Sequence, residues 1–102
     1  MPALPAVPTI YKQPWEDIAY DFDFTPLLGS GETLSSATSA TGDPSGLTIG
    51  SPALNGTKKV QVRISGGTNG QTYTVTVRAA TSAANNRECE AYFVVADIGA
   101  PS

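Results

Sequence analysis

The residues best suited to chemistry are a few acids, one cysteine and a glycine cluster, in a chain of 102 residues that has no histidine. Glu16 and Asp17, with Asp21 and Asp23, offer oxygen ligands of the kind Ca²⁺ collects. Asp21 and Asp23 nevertheless alternate along the outer face of a strand pattern, and no glycine-centred loop wraps ligands round an ion. A solvated face is the reading, and no metal is expected. Glu88 and Glu90 sit two apart on one strand face, the juxtaposition a glycosidase requires. Glycoside hydrolysis also needs a cleft around the sugar and burial that raises one acid's pKa, and the flanking residues suggest neither. Ser65-Gly66-Gly67-Thr68-Asn69-Gly70 has the run of backbone N–H groups that can cradle an anion, but no helix and no P-loop lysine follows. Cys89 falls on the inward face of a strand pattern, where a thiol behaves as a small apolar group. Lacking histidine, the chain is short of nucleophile–base pairs and transition-metal ligands, so no catalytic residue and no cofactor is assigned.

Composition narrows the remaining classes. At 40 % hydrophobic and 15 % charged residues the chain makes one small domain with a modest core. Six Lys and Arg against nine Asp and Glu give a net charge of −3, the wrong sign for a nucleic-acid partner. No apolar run is long enough to span a membrane, and the first cation, Lys12, comes too late for a signal peptide, so a soluble, untargeted chain is expected. One cysteine makes no internal disulfide, and the core must suffice.

Four prolines in MPALPAVPTIYKQPW oppose both helix and central strand, so residues 1–16 read as an extended Pro-rich arm. Leu4, Val7, Ile10, Tyr11 and Trp15 make it apolar for a solvated tail, and they are the candidate interface residues. Such an arm docks across its own domain or onto a neighbouring subunit; a terminus ordered only near Trp15 is the alternative. Residues 17–97 form the domain and 98–102 a short tail. Ile18, Tyr20, Phe22 and Phe24 alternate with polar residues as a half-buried strand, and a weaker strand follows from Glu32 to Thr41. Leu47 and Ile49 mark a short strand. Val60, Val62 and Ile64 alternate next, and across the glycine-rich turn at 65–70 they are expected to form a hairpin with the strand of Tyr73, Val75, Val77 and Ala79. After an Asn85-Asn86 turn, Cys89, Ala91, Phe93 and Val95 face inward in the last strand. No window has helical spacing. Six or seven short strands fit a two-layer antiparallel β-sandwich. Tyr73 stands where immunoglobulin-like domains place a tyrosine whose hydroxyl ties down a loop, though an ordinary core tyrosine also fits.

The segments YDFDFTPLLGSGETLSSAT, GLTIGS, RISGGTNGQTYTVTVRAATSA and RECEAYFVV together resemble the phage fiber-tail adaptors of tailed bacteriophages, over roughly residues 12–96. Ser65 to Tyr73 is the most specific part. Leu28 stands where a tryptophan is common in that family, and Asn85-Asn86 replaces a Gly-Arg pair. The resemblance implies an immunoglobulin-like antiparallel β-sandwich without enzymatic activity, built into the virion at the tail or neck and assembled in the host cytoplasm. It implies contacts with tail or neck proteins, fibres and portal-proximal proteins, and a homo-oligomeric ring. A capsid decoration protein and a carbohydrate- or surface-binding module are the rival readings. On this reading, deletion of residues 1–14 leaves the domain folded and abolishes incorporation.

Overall fold

The computed structural model describes residues 8–96. Alternation of apolar and polar side chains there produces β1 (Thr9–Lys12), β2 (Ile18–Asp23), β3 (Leu34–Asp43), β4 (Leu47–Ile49), β5 (Ala53–Asn55), β6 (Lys59–Gly66), β7 (Thr72–Thr81) and β8 (Asn86–Val95). One sheet has the order β1-β8-β7-β3, and the other the order β2-β6-β4, with β5 also pairing β6. The fold is all-β, as the alternation predicts. Among the described residues the only helical element is a 3-10 turn at Thr25–Leu27, which Pro26 favours by fixing its own φ.

The core lies between the sheets. Val60, Val62 and Ile64 of β6 face Tyr73, Val75, Val77 and Ala79 of β7 and Ala91, Phe93 and Val95 of β8, all buried. Phe22 and Phe24 close one side. In β6 and β7 every second residue faces inward, so the inward set of β7 reads directly from its sequence. Ile18 departs from its expected face, being 41 % exposed where β2 starts at the rim.

Three expectations are corrected. β6 and β7 do not form a hairpin: they belong to different sheets, and residues 66–71 arch from one to the other. A hairpin and an arch share the same local signals, glycines between two alternating strands. Here Gly66 and Gly67 take φ of +75° and +101°, Gly70 N–H bonds Val95 O at 2.7 Å, and Val95 N–H bonds Gln71 O at 3.0 Å, folding the arch onto the end of β8. The sandwich is not wholly antiparallel, because β1 runs parallel to β8. It also has eight strands among the described residues, since β1 and the three-residue β5 hide among prolines and turn residues. Two consequences follow. The Thr-rich strand at 72–78 is internal, paired on both sides, and offers no free edge. Removing residues 1–14 would excise β1, so that deletion is expected to lower stability.

Tyr73 does what its position suggests. Its ring is buried and its hydroxyl accepts a hydrogen bond from Thr68 N–H at 2.9 Å, tying the arch to β7. At Gly67 a Cβ would come within 2.7 Å of Val95 Cγ2, on top of a φ that disfavours any side chain. Gly67→Ala is therefore expected to lower stability by about 1–3 kcal/mol, read as a lower urea midpoint with an unchanged m-value.

Candidate protein-binding surface

The corner between β1 and β2 is built from the parallel register of β1. Ile10 lies opposite Phe93, Tyr11 opposite Val94 and Lys12 opposite Val95. Pro8 O accepts from Tyr92 N–H and Lys12 O from Ala96 N–H, each at 2.9 Å. Pro8 lacks an N–H but needs only its carbonyl here, so proline is tolerated. Alternation turns Ile10 onto the core and leaves Tyr11 outside, 67 % exposed.

Lys12 is fully buried, rare for a lysine unless its ammonium finds acceptors. Nζ donates to Gly66 O at 2.7 Å, Gln13 O at 2.8 Å and Pro14 O at 3.5 Å, so each of its three protons has a carbonyl. Burial pushes the ammonium below the usual lysine range, while the carboxylates of Glu16 and Asp17 act to restore it. The same bonds brace the turn that follows: Glu16 N–H donates to Gln13 O at 3.1 Å, and Gln13 N–H donates to Glu16 Oε1 at 2.7 Å. At the tip stands Trp15, 94 % exposed. Exposed Ile18 begins the next strand. Tyr92, 43 % exposed, lies on β8 opposite Thr9.

The candidate interface residues are thus distributed unevenly. Tyr11 and Trp15 project into solvent at this corner, Ile10 is taken up by the core, and Leu4 and Val7 lie outside the described residues. Tyr20 faces inward, its ring edge-on to Phe93 with centroids 5.0 Å apart, which joins the two sheets beneath the corner.

The acids have other occupations. Asp21 Oδ1 accepts from Asn55 Nδ2 at 3.0 Å and Gln61 Nε2 at 3.2 Å. Asp23 accepts from both the backbone and the hydroxyl of Thr25, starting the 3-10 turn, and these bonds hold its carboxyl below the usual range. Asp17 pairs with Arg63 at 3.3 Å and Glu88 with Arg78 at 2.7 Å, both at the surface, where such pairs contribute little. Cys89 is half-buried against the core, and burial pushes its thiol up, with Asp23 and Glu90 adding to the shift.

Sequence reasoning passed over Glu32. Its Oε1 accepts from Gly29 N–H at 2.8 Å, while Oε2 accepts from the Thr81 hydroxyl and from Asn85 Nδ2 at 3.0 Å. The carboxylate thereby clamps the turn before β3 to the β7–β8 hairpin. The only signal was its place directly after a Gly-Ser-Gly turn. The Gly29 N–H, then Thr81 and Asn85, draw its carboxyl down from 4.5 to about 2. A carboxyl with a depressed folded pKa stabilises the fold above its unfolded value and stops doing so as pH falls through the folded one. Wild type should therefore lose this contribution between about pH 4.5 and 2. Glu32→Gln should melt lower than wild type at neutral pH and converge with it near pH 2; thermal midpoints across that range give the check.

A rigid sandwich whose polar clusters are internally bonded, with a braced aromatic corner facing solvent, has the build of a module that holds other proteins. The family model of podophage GP4 fiber-tail adaptor protein gp77 matches residues 12–96, and the chain belongs to this family. It is a phage structural adaptor of the virion tail, as the quoted motifs imply. No curated protein matches the chain. Leu28 packs against the core, and Asn85 donates to Glu32.

Proposed function

We propose that this adaptor works without enzymatic chemistry, joining a tail or neck protein to the fibres through its N-terminal corner and its outer strand faces. The single observation that carries the reading is the family match over nearly all of the described residues. The exposed aromatic corner supports it, because large apolar side chains held in water by a rigid frame suit an assembly contact. The body is of the immunoglobulin-like kind, with Tyr73 tethering its loop. Several copies form a closed ring around the tail, since a contact between two different surfaces of identical subunits closes on itself when its rotation permits. Assembly takes place in the host cytoplasm.

Quantitative mass spectrometry of purified particles tests this. Copies comparable to the portal protein are expected. Copies matching the major capsid protein would move the chain to shell decoration, and absence from the particle would overturn every virion reading.

A further inference from the structure

We infer that the Gln13–Glu16 turn is a preformed anchor whose indole, Trp15, seats in an apolar pocket with a cationic rim on a different protein of the tail. The inference rests on the adaptor reading and adds to it the anchor residue and the chemistry of what receives it.

Three observations converge on this turn. Trp15 is the most exposed of the large apolar side chains among the described residues, at 94 %. The turn beneath it is cross-braced in both directions between Gln13 and Glu16 and held from below by the buried Lys12 ammonium, which reaches Gly66 at the end of β6. A tryptophan on a rigid support loses little freedom on binding, the condition under which such residues dominate interfaces. Lys12 acts here as a positioning residue, not as a contact.

Charge selects the partner. Glu16 follows Trp15 directly, Asp17 beside it is already paired with Arg63, and the chain as a whole carries −3, so a receiving surface with Lys or Arg around its pocket is favoured. A second copy carries the same −3 and is the less favoured occupant, although its own groove of about 360 Å³ beside β7 and β8, lined by Thr38, Arg78, Ala79, Asn86, Arg87 and Glu88, includes two arginines.

Trp15 is the one tryptophan of the chain, so it is its own reporter. The full chain carrying 5-hydroxytryptophan, excited where ordinary tryptophan does not absorb, would be added to tails purified from phage lacking this protein. Binding is expected with a blue-shifted emission, loss of quenching by acrylamide, and weakening as salt rises. Unlabelled Trp15→Ala should compete at least about 30-fold more weakly than wild type. Lys12→Met should speed the local anisotropy decay of the label and weaken binding, and Glu16→Ala, which removes the bond to Gln13 N–H and leaves Lys12 in place, should do the same to a smaller degree should the lysine variant fail to fold. A label that stays freely quenched on chain bound to tails would overturn the anchor and leave the adaptor reading standing. A blue shift that grows with the concentration of isolated chain would make the occupant a second copy and overturn the partner. Failure of the chain to join the tails would overturn both.

Discussion

Phe93→Ala is expected to cost about 3–5 kcal/mol, a large part of the roughly 5–15 kcal/mol that holds a domain of this kind together. Phe93 is fully buried on β8 and lies in register with Ile10 of β1 and Tyr73 of β7. Across the core its ring meets Tyr20 edge-on at 5.0 Å and Phe22 at 6.4 Å, both from β2. It is the side chain on which the edge strand, the central pair and the opposite sheet meet. Truncation removes those aromatic contacts and leaves a cavity that β-branched neighbours fill poorly. Phe93→Leu keeps most of the volume and should lose less than half as much. Urea denaturation of the three proteins, with tryptophan-independent far-UV dichroism as the probe, would show the order wild type, Leu, Ala in midpoint; an Ala variant within about 1 kcal/mol of wild type would mean that the sheets are not held together here.

Much of this core was legible in the sequence, because period-two alternation is a local property and survives whatever the strands pair with. Val60 to Ile64, Tyr73 to Ala79 and Ala91 to Val95 all fall on the face that the alternation assigns them. Sheet membership was not legible. Whether β6 turns back on itself or crosses to the other layer depends on contacts 54 residues apart in sequence, such as Lys12 Nζ to Gly66 O, and on where Val95 leaves room for Gly67. Lys12 itself looked like any solvated lysine in a proline-rich segment. Its burial follows only once β1 is known to lie beside β8. Glu32 was hidden for the same reason, its partner Thr81 being 49 residues away. At the corner, Tyr11 and Trp15, which the sequence marks as large apolar side chains, are exposed, Trp15 on a turn instead of an extended arm, while strand alternation diverted Ile10 inward.

The segment Ser65 to Tyr73 has a structural account. Gly66 supplies the carbonyl that Lys12 holds, Gly67 the backbone that passes against Val95, Thr68 the N–H that the Tyr73 hydroxyl accepts, and Gly70 the N–H that meets Val95 O. These residues build the arch that supports the N-terminal corner from beneath. This segment therefore builds the pedestal of the candidate contact, and the candidate side chains stand at its edge, in a segment whose sequence is otherwise proline-rich.

Two truncations separate pedestal from contact, and they should differ sharply. Removing residues 1–7 leaves every described hydrogen bond of β1 in place, from Pro8 O onward, and should change stability by less than about 0.5 kcal/mol. Removing residues 1–14 takes away β1 with the Ile10 packing, the bonds to Tyr92 and Ala96, and the Lys12 ammonium that holds Gly66. Burial of an isoleucine side chain is worth about 1.5–3 kcal/mol and each lost hydrogen bond about 1 kcal/mol, partly offset by the freedom the excised strand no longer has to surrender. A net loss of about 3 kcal/mol or more is expected, together with exposure of the β8 edge between Tyr92 and Val95, a flat apolar edge that invites pairing with other chains. The shorter truncation should remain monodisperse with the wild-type urea midpoint, and the longer should melt early and aggregate. Equal midpoints for the two would show that β1 contributes nothing to the sandwich. Because the longer deletion damages the fold itself, loss of incorporation after it would say nothing about binding, whereas Trp15→Ala on an intact β1 isolates the contact.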